Sequence, residues 1–384
     1  MFSSEEVEKF KSIQTPFYYY DLGLLNETLK MLKEISSLYE FKIHYALKAN
    51  ANPRILHHIQ SYGFGADCVS GNEVRRALEV GFPPEEIVYA GVGKTDQEIQ
   101  YALENNIQSL NCESIQELEV INSLAKKLGK IANIALRINP KVEADTHEYI
   151  TTGLEENKFG ITLNELKLAL RIIKDLNHLK LIGLHFHIGS QILDMDSFKN
   201  LCKRVNEVQQ KYFQKKFIIL HLNLGGGLGV DHRDPDKNII PDFRRYFLVF
   251  KNYLKYSANQ IIHFELGRSV VAQCGTLVCQ VLYVKKGLHS QFVIINAGMT
   301  ELIRPALYQS YHHIENLTST GPAQVYDVVG PVCESSDFLG KSVTLPETRR
   351  GDLIAIRTTG AYAEVMSSRY NLRDPARAVY SDEL

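Results

Sequence analysis

Eight short apolar runs, each ending in polar or glycine residues and separated by helix-length amphipathic stretches, most constrain how this 384-residue chain can fold. Strand-like runs that alternate with helical patterns are typical of parallel β-α-β units, and eight such units close into a barrel of about 250 residues. The sequence therefore predicts a (β/α)8 TIM barrel over residues 22–270. The runs lie at 41–49, 64–70, 86–91, 107–114, 132–140, 181–189, 218–227 and 261–268.

The chain is too long for one ordinary barrel, and its residue composition and hydrophobic periodicity change after Arg268. The later segments are rich in β-forming residues, contain Gly and Pro between them, and show little helical period except near Leu307–Ile314. They predict a second, mostly antiparallel β-sheet domain, which the early strand at 16–21 joins. The second domain is therefore expected to be discontinuous, over residues 1–21 and 271–384. Its predicted strands fall within 275–286, 291–298, 323–331 and 352–362.

Composition excludes several classes of partner. The net charge of −1 gives no electrostatic argument for binding nucleic acid or an anionic membrane. No apolar run approaches the roughly 18 residues that a membrane helix needs, and the first residues lack the features of a signal peptide. The six cysteines are scattered without a C-x-x-C pair, as is typical of a reducing compartment. We therefore expect a cytoplasmic protein without nucleic-acid or membrane partners.

Residues with reactive or ligand-binding side chains lie at the predicted carboxyl ends of the strands, where the active sites of such barrels are found. An amine, a glycine-rich phosphate cradle and a carboxylate at one barrel mouth indicate a pyridoxal-phosphate enzyme. The candidates are Lys48 at the end of the first strand, Asp67 at the end of the second, His187 and Ser190 at the end of the sixth, Gly225–Gly227 at the end of the seventh, and Glu265 and Arg268 at the end of the eighth.

Each candidate also has a purely structural interpretation. Lys48 could simply reach solvent from a strand end, and Glu265 could form an ion pair with Arg268. A tight turn explains one or two glycines but not three in succession, which favours a phosphate site with three exposed amides. His185 and His187 alternate along one strand, yet no third ligand accompanies them, so no metal site is predicted.

Several segments occur together and in order: TPFYYYD, YALKAN, HIGSQ, GGGLG, E-x-GR, LIRPALYQSYH, CESSD and GAY. With them the chain resembles, over nearly its whole length, the alanine-racemase-like, group IV family of PLP-dependent decarboxylases. The resemblance implies that pyridoxal 5'-phosphate is held covalently by Lys48, stacked on by His187 and paired at its ring nitrogen with Glu265. Cys333 resembles the family's proton donor. The other residues implied to bind the cofactor are Asp67, Ser190, Gly225, Gly226, Gly227, Gly267, Arg268 and Tyr362. One departure is Leu266, where most relatives have proline.

Within that family, the residues favour a substrate that carries a second amino-acid head. Arg304 and Tyr308, at i and i+4 on one helical face, supply donors for a distal carboxylate, and Glu334 supplies an acceptor for the distal ammonium. An arginine at that end would repel the lone ammonium of ornithine. We therefore expect decarboxylation of meso-2,6-diaminopimelate to L-lysine and CO2, the last step of lysine biosynthesis, with Arg268 and Tyr362 also contacting substrate.

Three alternatives stay open. A related decarboxylase could act on ornithine, arginine or carboxynorspermidine. An amino-acid racemase shares the fold, but we expect that class to place an arginine against the ring nitrogen where Glu265 stands. An inactive regulator should lack part of the set Lys48, His187, Glu265 and Cys333, which is complete here. The resemblance also implies a homodimer with shared active sites, in which Cys333 and Glu334 come from the partner chain.

Overall fold

The computed structural model describes residues 2–140, 158–213 and 217–384. Its internal contacts divide the chain into two units. The barrel unit comprises residues 29–229 and 242–267, and the sheet unit comprises residues 1–28, 230–241 and 268–384. The segment 230–241 lies inside the range predicted for the barrel, but it groups with the sheet unit.

Sixteen strands are found in the described ranges, and each of the eight apolar runs overlaps one of them. The strands are β1 (Phe17–Tyr20), β2 (Lys42–Ala46), β3 (Gly65–Cys68), β4 (Ile87–Tyr89), β5 (Ser109–Cys112), β6 (Ala132–Arg137), β7 (Leu179–His185), β8 (His221–Asn223), β9 (Ile261–Leu266), β10 (Gly275–Lys286), β11 (Gln291–Ile295), β12 (Ile314–Asn316), β13 (Ala323–Val329), β14 (Phe338–Pro346), β15 (Leu353–Ile356) and β16 (Arg377–Tyr380).

The α-helices of the same ranges begin at polar caps where the preceding loop supplies them. Ser70 and Ser114 accept hydrogen bonds from backbone amides three residues on, and Thr95 and Thr162 form reciprocal capping boxes. No described helix is both long and apolar enough to cross a membrane. The helices are α1 (Ser4–Lys11), α2 (Leu22–Leu38), α3 (Pro53–Ser61), α4 (Gly71–Val80), α5 (Asp96–Glu104), α6 (Ile115–Lys127), α7 (Leu163–Ile172), α8 (Met195–Val208), α9 (Phe243–Tyr253), α10 (Arg268–Val271) and α11 (Arg304–Tyr308).

Strands β2 to β9 form a closed barrel in which every neighbouring pair is parallel. The barrel closes between the first and last of these strands, where Lys42 lies opposite His263. Aromatic side chains fill the layer between the outer helices and β9. The ring of Phe264 lies 4.7 Å from that of Phe250 and 5.0 Å from that of Phe247, in edge-on contact. The (β/α)8 prediction is confirmed.

A chain of three hydrogen-bonded histidines crosses the barrel interior. Nδ1 of His44 lies 3.1 Å from the backbone oxygen of Glu86, Nε2 of His44 lies 2.8 Å from Nδ1 of His263, and Nε2 of His263 lies 2.9 Å from Nδ1 of His221. Since a carbonyl oxygen only accepts, His44 carries its hydrogen on Nδ1, and the same tautomer follows for the other two rings. Burial lowers the pKa of all three imidazoles, so the chain is neutral.

The sheet unit is built on β10, which pairs with β1, β11 and β15. The predicted early strand does join this sheet. The core of the sheet unit contains Phe10, Phe17, Tyr19, Val278, Leu353 and Val379. The pairs β1–β16 and β11–β13 are parallel and the other strand pairs of the unit are antiparallel. The short helix predicted near Leu307–Ile314 in fact begins at Arg304 and ends at Tyr308, and Ile314 begins a strand.

Candidate active site

Lys48 lies in a single 3-10 turn, Leu47–Ala49, that follows β2 directly, not in the strand itself as its apolar run predicted. Its Nζ lies 3.4 Å from Oδ2 of Asp67, which is fully buried near the end of β3. Burial and the nearby charge of Glu265 raise the pKa of Asp67 to about 8, against the opposing effect of Lys48. The other carboxylate oxygen of Asp67 has no hydrogen-bond partner in the described ranges. Asp67 therefore titrates close to neutral pH, beside the amine of Lys48.

Glu265 is a buried carboxylate near the end of β9 that stays charged. Nε2 of His185 lies 2.9 Å from one carboxylate oxygen, and Nδ2 of Asn223 donates to the other at 2.7 Å. Burial alone would raise the pKa of Glu265, but the charge and hydrogen bond of His185 hold it well below its usual range. An ion pair with Arg268 is therefore not needed to keep this carboxylate ionised. Neither His185 nor Asn223 was assigned to Glu265 from the sequence.

The three successive glycines after β8 are required by close backbone packing. A Cβ on Gly226 would lie 1.9 Å from the backbone oxygen of Glu265, and one on Gly225 would lie 2.4 Å from that of Phe186. Gly225 and Gly227 also have φ values of +69° and +104°, which side chains rarely adopt. Replacing any of the three therefore moves the strand ends.

The prediction of three exposed amides in this turn is wrong. The amide of Gly225 donates to Oδ1 of Asn223 at 2.9 Å, and that of Gly226 donates to Nδ1 of His187 at 3.3 Å. Of the three glycine amides, only that of Gly227 makes no hydrogen bond within the described ranges and is left for an anion. Burial and the charge of Lys48 hold the pKa of His187 well below its usual range, so this imidazole is neutral.

Two further predicted residues complete the barrel-unit group. Ser190 follows β7 by five residues, and Gly267 follows β9 directly. A Cβ on Gly267 would lie 2.9 Å from Cβ of Ala49, so this glycine lets the end of β9 pack against the turn that carries Lys48. The sequence reasoning missed a buried ion pair at the same end of the barrel, in which Arg137 Nη1 lies 2.8 Å from Glu113 Oε1. Its signal in the sequence is one charged residue near the end of each of two otherwise mostly apolar runs, Glu113 in 107–114 and Arg137 in 132–140.

In the sheet unit, two buried arginines each lie over a tyrosine ring. The guanidinium carbon of Arg268 is 4.6 Å from the ring centre of Tyr362, and that of Arg304 is 5.8 Å from that of Tyr308. Burial, with the charge of Arg268 as the second cause, lowers the pKa of Arg304 to about 9. Arg304 forms no ion pair with a described residue, and its Nε donates a hydrogen bond to Nε2 of His312. This guanidinium is thus charged, oriented and available to an anion.

Cys333 and Glu334 lie in an exposed loop of the sheet unit between β13 and β14. The amide of Cys333 donates to Oδ1 of Asn371 at 3.0 Å, and the hydroxyl of Tyr370 donates to Oε1 of Glu334 at 2.6 Å. Leu372, in the turn that supplies these contacts, is 94% exposed and has a φ of +56°. Both predicted residues are therefore held by one neighbouring turn and face solvent in the single chain.

Comparison with known proteins gives a consistent result over the whole chain. Residues 23–272 match the family model described as "Pyridoxal-dependent decarboxylase, pyridoxal binding domain". The diaminopimelate decarboxylase of Bacteroides thetaiotaomicron is 53% identical, with 98% of each chain covered, and that of Aquifex aeolicus is 40% identical, with 97% of this chain and 88% of the relative covered. The crystal structure of diaminopimelate decarboxylase from Helicobacter pylori complexed with L-lysine is 39% identical, has a TM-score of 0.89, and covers 99% of this chain and 94% of that one.

Proposed function

Because this chain belongs to the family of pyridoxal-dependent decarboxylases, we propose that it removes CO2 from meso-2,6-diaminopimelate and releases L-lysine. One observation carries the choice of substrate. Arg304 is a buried guanidinium, only 4% exposed, without an acidic partner in the described ranges. A buried charge of this kind needs a counter-ion, and the distal carboxylate of meso-diaminopimelate supplies one. The relatives named above as diaminopimelate decarboxylases support the same choice.

The residues of the barrel unit fit pyridoxal phosphate. Lys48 supplies an amine for its aldehyde, Glu265 an ionised carboxylate for its ring nitrogen, and Gly227 a backbone amide for its phosphate. His187 would supply a neutral imidazole to pack on the ring without adding a charge. When bound, the cofactor supplies an electron sink for the electron pair that loss of CO2 leaves on the α-carbon.

Glu265 and Asp67 have different roles in binding protons in the barrel unit. Glu265 would accept the hydrogen bond of a protonated ring nitrogen, and His185 and Asn223 keep that carboxylate ionised and oriented. Asp67, with its pKa of about 8, would take the proton that the Lys48 ammonium has to lose before its amine can bind the cofactor's aldehyde. The two carboxylates therefore have opposite roles because their surroundings move their pKa values in opposite directions.

Cys333 and Glu334 act on the substrate from a second copy of the chain in this proposal. Cys333 holds the proton that the α-carbon receives after CO2 leaves, and Glu334 accepts from the distal ammonium. This assembly requires a loop that is exposed in the single chain, and the loop that carries both residues is exposed. A homodimer would cover it.

The direct test measures CO2 release by the cofactor-loaded enzyme. meso-Diaminopimelate, L-ornithine, L-arginine and carboxynorspermidine are supplied in turn at equal concentration. We expect release from meso-diaminopimelate alone at a substantial rate, because the other three lack the distal amino-acid head that Arg304 and Glu334 grip together. Faster release from any of the other three would overturn the proposal.

A further inference from the structure

The imidazole of His312 is a neutral hydrogen-bond acceptor for Arg304, so it orients the guanidinium without compensating its charge. His312 is buried, and its Nδ1 lies 3.1 Å from the backbone oxygen of Arg357. Since that oxygen only accepts, Nδ1 carries the hydrogen, and Nε2 of His312 has a free lone pair. Nε of Arg304 donates to this nitrogen at 3.4 Å. The guanidinium is thereby oriented through its Nε, and its two terminal nitrogens point elsewhere.

The support behind His312 is rigid. Arg357 is fixed by two carboxylates, with Nη1 at 2.9 Å from Glu315 and Nη2 at 2.9 Å from Asp236. The ring of His232 packs edge-on against that of His312, with 4.7 Å between their centres. Burial and the charges of Arg304 and Arg268 lower the pKa of His312 to about 3, while its hydrogen bond to Arg357 opposes that shift. The imidazole is therefore neutral near pH 7 and accepts the hydrogen bond of Arg304.

We propose that His312 is a positioning residue that fixes the Arg304 guanidinium for the distal carboxylate of the substrate while leaving its charge uncompensated. The inference rests on the proposed function, in which Arg304 binds that carboxylate. An aspartate or glutamate could orient the same nitrogen, but it would form an ion pair with the guanidinium and compete with the substrate. A neutral acceptor supplies orientation alone, so the full charge of Arg304 is left for the ligand.

The test uses two substitutions that each keep one half of the imidazole's hydrogen bonding. A glutamine amide reaches the position of Nε2, so H312Q keeps an acceptor for Arg304. An asparagine amide reaches only the position of Nδ1, so H312N keeps the donor to Arg357 and loses the acceptor. His313, the next residue, is half-buried, and its side chain makes no hydrogen bond within the described ranges, so H313Q and H313N are matched controls.

The readouts are kcat and KM for meso-diaminopimelate and the inhibition constants of L-lysine and cadaverine, all measured on the cofactor-loaded enzyme. These two inhibitors differ only in the carboxylate that Arg304 is proposed to bind. We expect H312N to raise KM and the inhibition constant of L-lysine roughly tenfold, as loss of one oriented contact to a charged group implies, with cadaverine unchanged. H312Q and both His313 variants should stay within about twofold of the parent, which is the scatter expected of neutral changes.

Two outcomes overturn the positioning role, and others test the proposed function separately. If H312N and H312Q behave alike, or if L-lysine and cadaverine weaken together, His312 only supports the fold. If the parent enzyme releases no CO2 from meso-diaminopimelate, or if R304Q leaves the ratio of the two inhibition constants unchanged, the proposed function itself fails, whatever the His312 variants do.

Discussion

The neutral histidine chain inside the barrel makes a quantitative prediction about stability and pH. In H263L, the middle ring is lost, which leaves Nε2 of His44 without a donor and Nδ1 of His221 without an acceptor. A buried polar group left unsatisfied costs about 1–3 kcal/mol, so we expect H263L to lose about 2–4 kcal/mol of unfolding free energy at pH 8. The lost ring also changes how stability depends on pH.

The sign follows from where the pKa of His263 lies. Burial first, then His44, His221 and Lys42, hold it well below the ordinary value of 6.5, while Glu265 acts in the opposite direction. Below pH 6.5 the unfolded chain therefore binds a proton that the folded chain does not, and stability falls as the pH falls. For one such group the loss between pH 8 and pH 5 is about 2 kcal/mol. H263L no longer has this group, so its deficit relative to the parent should shrink by about 2 kcal/mol at pH 5.

Urea unfolding at pH 8 and pH 5 measures both numbers. The chain contains no tryptophan, so far-ultraviolet circular dichroism is the appropriate signal, and the midpoint shifts are converted with a common m-value. The matched control is H57L, because His57 is an exposed residue of the same unit. A deficit for H263L that is equal at the two pH values, or larger at pH 5, would refute the neutral chain.

Three further predictions concern the site. Borohydride should fix the cofactor on Lys48, and peptide mass mapping of the K48A variant should find no label there; label on another lysine contradicts the assignment. R304A should lose about 2–4 kcal/mol of transition-state binding, roughly 30- to 1000-fold in kcat/KM, while the visible spectrum of the cofactor stays unchanged; a loss below about fivefold speaks against the contact. Mixed K48A and C333A chains should regain about a quarter of the parent activity after subunit exchange, because half of randomly paired dimers then hold one intact site of two; a mixture as inactive as its parents shows that each chain completes its own site.

The barrel was predictable because each of its strands lies in a short, mostly apolar run that ends in polar or glycine residues. A parallel strand buried on both faces needs such a run, and Lys42–Ala46 or Ile261–Leu266 leave no other interpretation once eight of them alternate with helices. The segment 230–241 was assigned to the barrel because it lies between two barrel strands, and nothing in its composition marks its contacts. Three sheet-unit strands were missed. Ile314–Asn316 and Arg377–Tyr380 are only three or four residues long and carry too little periodicity, and in Phe338–Pro346 the Gly, Lys and Pro residues interrupt the apolar pattern.

Within the site, residue types were predictable but their hydrogen-bond partners were not. Lys48, Glu265 and Gly225–Gly227 stand out because a charge or a run of glycines after an apolar strand is unusual. The donors Asn223 and His185 do not stand out, since an amide or imidazole in a strand is ordinary until its neighbour is known. The same limit explains the error about the glycine amides, because two of them are occupied by side chains that lie close only in the folded barrel.

The distribution of the six thiols has a practical consequence. Five cysteines are buried, and burial raises the pKa of each, in the case of Cys202 to about 12. Cys333 alone is exposed. A small alkylating reagent should therefore modify the folded chain once, at the residue proposed as proton donor. The fraction of modified chains, measured at several protein concentrations, then reports self-association. Every chain whose loop is covered by a second copy escapes the reagent.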